Sequence, residues 1–186
     1  MATLDATRLA QIISENVEAF KGLCEGLDDE TASRAPSDRW SPKQIVSHLC
    51  GPDGTGHLPI IATILGKDTP RLDIEVEDPF FSERRAGMTF GELLSEFETE
   101  YSRMAELVRG LSEEQLNRKA HIPFLRDTPV GEYPTLATWI QTIGDRHLTM
   151  HTEHMREIMD ILGVPSLQQS TYTAQESQPV YTDSPQ

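Results

Sequence analysis

The 186-residue chain is poor in cysteine, in basic charge and in long apolar runs. Its two cysteines, Cys24 and Cys50, are too few for a disulfide scaffold and do not make a CxxC pair. Lys and Arg number 16 against 30 Asp and Glu, a net charge of −14 at pH 7. Such a chain lacks the basic footprint that neutralises phosphates, which argues against nucleic acid and anionic membrane surfaces as partners. Acidity of this kind serves solubility, and a locally positive site stays compatible with a small anionic substrate. The longest nearly apolar run, Leu58 to Leu65, contains Pro59 and Thr63. It falls far short of the ~18 residues that suggest a membrane span. Met1 to Asp5 shows neither a basic n-region nor an apolar h-region. The expectation is a cytoplasmic, reduced protein with a small-molecule substrate.

What is present is mostly helical pattern. One domain is expected over residues 1–165, followed by an extended or flexible tail over 166–186, rich in Ser, Thr, Gln and Pro. In the first segment, Ala6 to Glu25, Leu9, Ile12, Ile13, Val17, Phe20 and Leu23 recur at spacings of three and four. The second starts at Ser41, with Pro42 at the first helical position and Gln44 completing a capping box. A glycine-rich break, Gly51 to Gly56, follows, and the helix resumes at Leu58. After a long non-periodic stretch from Gly66 to Met88, the third helix opens at Thr89 with Glu92 closing its capping box. The fourth is expected to run unbroken from Thr135 to Leu162, stopped by Gly163 and Pro165. With no competing strand pattern, the fold class is all-α, an antiparallel four-helix bundle with long loops and a C-terminal arm.

A faint internal echo runs through this order. Gly26-Leu27-Asp28-Asp29-Glu30 through Arg34 resembles Gly110-Leu111-Ser112-Glu113-Glu114 through Arg118, each after a long helix. The helix after each copy holds a His-Leu pair, His48-Leu49 and His147-Leu148. Read as a repeat, this places a site where two helical hairpins face each other.

The histidines carry the chemical signal. At ~100° per residue, His151 lies roughly 40° from His147 and His154 roughly 20° to the other side, so the three share a face. Ile140, Ile143, Met150, Met155 and Ile158 lie on or beside that face, while Asp145, Arg146, Glu153, Arg156, Glu157 and Asp160 fall mostly elsewhere. The imidazoles are therefore expected to point inward, where an unpaired polar ring is costly. Rings at i and i+4 can converge on one cation, and neutral imidazole suits zinc, nickel, iron or copper rather than magnesium or calcium, with zinc, nickel or iron the expected ion. His48, three residues after Ile45, is the natural third ligand from a second helix. Three histidines leave one position of a tetrahedral ion open, the arrangement of a catalytic site. The competing reading is a polar core of histidines bonded to carboxylates and carbonyls.

Other residues read more plainly. His154 either replaces His147 as a ligand through an i, i+3 pairing with His151, which has the poorer reach, or has a supporting or solvent-edge role; His57 and His121 read as surface residues. Trp40 and Trp139 read as core anchors, and Cys50 as a small packing residue. Arg126 and Tyr133, in the loop before the last helix, either line a pocket or lie on the surface.

The segment Trp40-Ser41-Pro42-Lys43-Gln44-Ile45-Val46-Ser47-His48-Leu49, with HxxxH on the last helix, resembles the DinB/YfiT-like superfamily over roughly Leu4 to Leu162. The resemblance implies an up-down-down-up four-helix bundle and a divalent metal held by His48, His147 and His151. It also implies thiol chemistry or hydrolysis. Members include thiol-dependent S-transferases, a mycothiol-dependent maleylpyruvate isomerase, the N-terminal domain of ergothioneine-forming sulfoxide synthases and metal-dependent hydrolases. The sulfoxide synthases carry HxxxHxE, matched by His147, His151 and Glu153, but need a second catalytic domain that has no counterpart here. A low-molecular-weight thiol is thus an expected co-substrate beside the metal. The glycine-rich break and the Gly66–Met88 stretch depart from the family's simplest pattern. The expectation is a metal-dependent hydrolase or thiol S-transferase, possible as a homodimer. The alternative is a non-catalytic stress-response or interaction module with a structural metal or none.

Overall fold

The computed structural model describes residues 5–74 and 78–164. The expected tail, and the dimer contact it suggests, lie outside the described residues. Helix α1 (Ala6–Cys24) is capped by the Asp5 carboxylate and buries Leu9, Ile13, Val17 and Phe20 of the expected stripe, with Cys24 beside them, while Ile12 and Leu23 are half-buried. A one-turn helix α2 (Asp29–Ala32) follows, capped by Asp28. Helix α3 (Pro42–Cys50) opens with the reciprocal bonds of a capping box: Gln44 N donates to Ser41 Oγ at 3.2 Å, and Ser41 N to Gln44 Oε1 at 2.9 Å. Only Gln44 of this helix is not buried. Even the Lys43 ammonium is inside, donating to Met88 O at 2.8 Å and paired with Asp29 at 2.8 Å. Gly51 ends α3 at φ +73°, a left-handed backbone that glycine adopts without steric cost.

Helix α4 (Leu58–Gly66) resumes after the glycine-rich break as expected. Between it and the next long helix lies the non-periodic stretch, with one further turn, α5 (Glu83–Ala86). Helix α6 (Phe90–Arg109) has the capping box of Thr89 and Glu92 and buries Phe90, Leu93, Phe97, Tyr101, Met104 and Val108. A one-turn helix α7 (Glu113–Leu116), capped by Ser112, repeats α2 in the second half. The internal echo thus has a physical basis: each copy is a long helix, a capped single turn and then a histidine-bearing helix.

The last helix is not continuous. Helix α8 (Leu136–Gln141) passes into a π-helical segment, Thr142–His147, before α9 (Leu148–Ile161). The cause lies in α1. A Cβ on Gly144 would overlap Ile13 Cγ1, so glycine permits the approach of the two backbones. Asn16 Nδ2 then donates to Gly144 O at 3.0 Å, satisfying a carbonyl in the widened turn.

Helices α1 and α3 each pack against α6 and against α9, so the bundle is a ring in which α1 lies diagonally from α3 and α6 diagonally from α9, while α3 and α6 are side by side. Phe20 and Phe97 meet across the α1–α6 contact with ring centroids 5.1 Å apart, and Phe97 continues to Tyr101 at 4.8 Å. Each such ring, fully buried, contributes roughly 1.5–3 kcal/mol. Among the described residues there is no strand beyond two isolated bridges. No helix is long and apolar enough to cross a membrane.

Candidate metal centre

The α3–α9 contact brings His48 against His147 and His151. One ring nitrogen from each lies within 4.8 Å of the others, a grouping that could hold a metal ion. Ring centroids are 5.0 Å apart for His48 and His147, and 4.6 Å for each of the other two pairs. His48 Nε2 and His147 Nε2 approach to 2.9 Å. His48 Nδ1 lies 2.7 Å from Asp78 O, a carbonyl that can only accept. That bond puts the proton on Nδ1 and leaves the His48 Nε2 lone pair aimed at the other two rings.

Two atoms of the group are orphans: His147 Nδ1 and His151 Nδ1 are sealed from solvent without a hydrogen-bond partner. Burial holds all three imidazoles neutral. It pushes the His147 pKa down to about 2 and that of His151 to about 3, aided by the neighbouring rings. His48 is lowered for the same reason, although the Asp78 carbonyl opposes the shift. No carboxylate belongs to the group among the described residues. The donor set is therefore three neutral nitrogens, which fits a borderline-soft divalent ion and not magnesium or calcium.

The surroundings correct several expectations. Trp40 packs against the core but is only half-buried, and its ring is stacked on His151 at 6.2 Å and tilted on His48 at 4.9 Å. Trp139 is buried as expected. His154 lies beside Trp40 at 6.1 Å and outside the three-ring group, the supporting position expected of it. Met150, although 56% exposed, lines the pocket beside the histidines as expected, and Arg146, expected elsewhere, lines it too. Glu153 is exposed and paired with Arg156, so it has no part in the centre. His57 is half-buried and not a surface residue, with Nε2 donating to Leu49 O at 2.8 Å. His121 stacks on Tyr133 at 4.8 Å away from the group, and Arg126 pairs with Glu132 at 2.9 Å. Neither Tyr133 nor Arg126 lines the pocket. Cys50 is fully buried, its thiol pushed up to about 12 by burial, and packs rather than reacts.

Phe80 is a site residue that no sequence signal announced. Its ring stacks on His48 at 6.0 Å, and its backbone stands at φ +47°, a region costly for an aromatic residue. Three bonds hold it there. Its N–H donates to Asp78 Oδ1 at 2.6 Å, and its carbonyl accepts from Ser47 Oγ at 2.9 Å and Arg85 Nη1 at 3.2 Å. The histidines open into a cavity of about 730 Å³ walled by Trp40, Ile60, Phe80, Phe124, Trp139 and Ile143. That size suits a small organic ligand.

The comparisons agree with this architecture. A model of the DinB superfamily matches residues 12–155, and the chain belongs to that superfamily. Among solved structures it is similar to YfiT from Bacillus subtilis, described as "a probable metal-dependent hydrolase with an unusual four-helix bundle topology". The TM-score is 0.66 at 18% identity, over 89% of this chain and 93% of that one, which shows a shared fold. No curated protein matches the sequence significantly.

Proposed function

We propose that His48, His147 and His151 hold a divalent transition metal, zinc, nickel or iron, and that the chain is a metal-dependent hydrolase acting on a small molecule in the adjoining cavity. The observation that carries this is the convergence of three buried imidazoles, one ring nitrogen from each within 4.8 Å of the others and no carboxylate among them; the two orphaned Nδ1 atoms add that internal hydrogen bonding does not account for the cluster. A cluster built only for stability would have its polar atoms paired, because each unpaired one costs about 1–3 kcal/mol. The likeness to YfiT supports the hydrolytic reading at the level of the fold. When bound, the ion supplies a Lewis acid and lowers the pKa of a water or thiol that it binds. The chain's own part is to exclude bulk water with Trp40 and Phe80 and to fix the His48 tautomer through Asp78 O.

Elemental analysis of the untreated protein tests the metal. A stoichiometric transition metal, lost in a His147→Ala, His151→Ala double variant, is the expected result. Metal-free protein whose metal uptake is untouched by that variant overturns the proposal and favours a non-catalytic module. Ester and amide substrates assayed with and without added low-molecular-weight thiols then separate hydrolysis from S-transfer. A thiol requirement would replace the hydrolase reading.

A further inference from the structure

The metal reading leaves the substrate's chemistry unassigned, and the cavity's charges address it. Four charged residues line the cavity: Asp38, Arg39, Asp73 and Arg146. Two of them have partners. Asp73 is held by Arg71 at 2.8 Å and Arg39 by Glu157 at 2.8 Å. Arg146 makes neither an ion pair nor a side-chain hydrogen bond among the described residues, and the π segment delivers it to the cavity immediately before His147. Asp38 is the remaining acid and, like Arg146, is exposed, so the two side chains alone do not fix the sign of the cavity's charge.

The donor set decides which sign prevails. Three neutral imidazoles leave a bound ion's double positive charge uncompensated, and the apolar walls keep the local dielectric low. An anion that meets both the ion and Arg146 neutralises that charge; a cation there is repelled. The walls in turn reward an apolar body. A guanidinium also presents a planar fork that matches a carboxylate.

We propose that the site takes a small carboxylate with an apolar body, anchored by Arg146. This rests on the metal reading for its full strength. Arg146 alone supplies part of the preference, so the two ideas fail separately.

The probes are phenylbutyrate, its neutral amide phenylbutyramide and the cationic phenylbutylamine. Their binding is measured by calorimetry on zinc-loaded and chelator-treated protein, with zinc uptake recorded independently. Zinc-loaded protein is expected to bind the carboxylate about tenfold or more tighter than the amide, and the amine weakest. Arg146→Gln is expected to weaken the carboxylate about tenfold and leave the amide unchanged. Chelator-treated protein is expected to keep a smaller, Arg146-dependent carboxylate preference. Failure to take up zinc would sink the metal reading, and the Arg146-dependent preference of the metal-free protein would then decide the inference alone. Equal binding of the three probes, no detectable carboxylate binding, a gap that narrows on zinc loading, or an unchanged preference in Arg146→Gln overturns it.

Discussion

Two buried polar clusters grow from consecutive residues of α3, and they are built on opposite principles. From Ser47 hangs the Arg85 guanidinium, 1% exposed, and every direction it points is met. Nη1 donates to Ser47 O at 3.0 Å and Gly51 O at 2.7 Å, and Nε and Nη2 reach Glu96 at 3.0 and 2.8 Å. Arg84 completes the cluster by bridging Asp53 and Glu96. From His48 hangs the imidazole cluster, in which two of three rings have an unpaired nitrogen. The first cluster ties the non-periodic stretch to the glycine-rich break and has no capacity left for a ligand. The second is incomplete as a polar core and complete as a donor set. Burial is common to both, so burial of polar groups does not mark a site, and neither does a single unpaired atom, since the Tyr101 hydroxyl is also sealed without a partner; unpaired rings that converge with a third do.

The largest expected effect breaks the saturated cluster. Arg85→Met leaves three carbonyls without this donor and Glu96 with Arg84 alone, and should cost about 3–5 kcal/mol of stability. Denaturant unfolding with chelator present is the measurement, and the loss should be the same whether or not metal is added. A loss under about 1 kcal/mol would mean that the cluster relaxes to water and that its closure has been overread.

The open cluster should behave in the reverse way. A His147→Leu, His151→Leu variant replaces unsatisfied rings with apolar side chains of similar bulk. Metal-free, its stability should lie within about 1 kcal/mol of the original chain, or above it. Only the original chain should gain from metal, by about 4 kcal/mol at a thousandfold excess over Kd. Equal gains in both proteins would remove the contrast between the clusters.

The clusters should also part along the pH axis. In metal-free protein His147 and His151 stay neutral when folded but protonate near pH 6.5 when unfolded. The unfolded chain therefore binds more protons below pH 6.5, and stability falls with pH, by about 2.5 kcal/mol for the pair between pH 7 and 5.5. The loss should continue towards their folded values of about 2 and 3. The carboxylates of the Arg85 cluster respond lower. Hydrogen bonds from Arg84 and Ser82 hold Asp53 at about 2, so its contribution is intact above the ordinary carboxylate range and is lost only as pH falls through it. Burial would raise Glu96, but Arg84 and Arg85 outweigh it. Unfolding of the double leucine variant should keep the acid limb and show a shallower limb between pH 7 and 5.5, the remainder coming from His48, His57 and His154, which burial also lowers.

The sequence disclosed these clusters unequally. His48, His147 and His151 were legible because a capping box fixes the phase of α3, and i, i+4 spacing is local geometry. Arg85 was not, because its partners come from α3, the glycine-rich break and α6, and no periodicity links them. Phe80 was illegible for the same reason: its left-handed backbone is held by tertiary bonds. Arg146 was assigned to the wrong face because an ideal helix was assumed where a π segment widens the turn. Gly144 was the available signal, a glycine in a helix interior with no turn to explain it.

That misread segment supplies the smallest and most selective test. Asn16 sits on α1, far along the chain from either cluster, and its Nδ2 donates to Gly144 O at 3.0 Å. Asn16→Ala removes that donor. The carbonyl loses one partner at a partly buried position, worth about 1 kcal/mol. The Arg85 cluster has no contact with the π segment, so nothing in it should change. His147 closes that segment, and a shift in its register moves the ring against His48. If Asn16 sustains the π geometry, the alanine variant should lose about 1 kcal/mol of stability and also several-fold in metal affinity. If it merely decorates the surface of α1, stability alone should fall and the metal titration should overlay that of the original chain. Calorimetric metal titration beside denaturant unfolding reads both quantities from one preparation. The contrast between a closed cluster and an open one then extends to support: the closed cluster is held by its own bonds, and the open one by a neighbour that never touches the ligands.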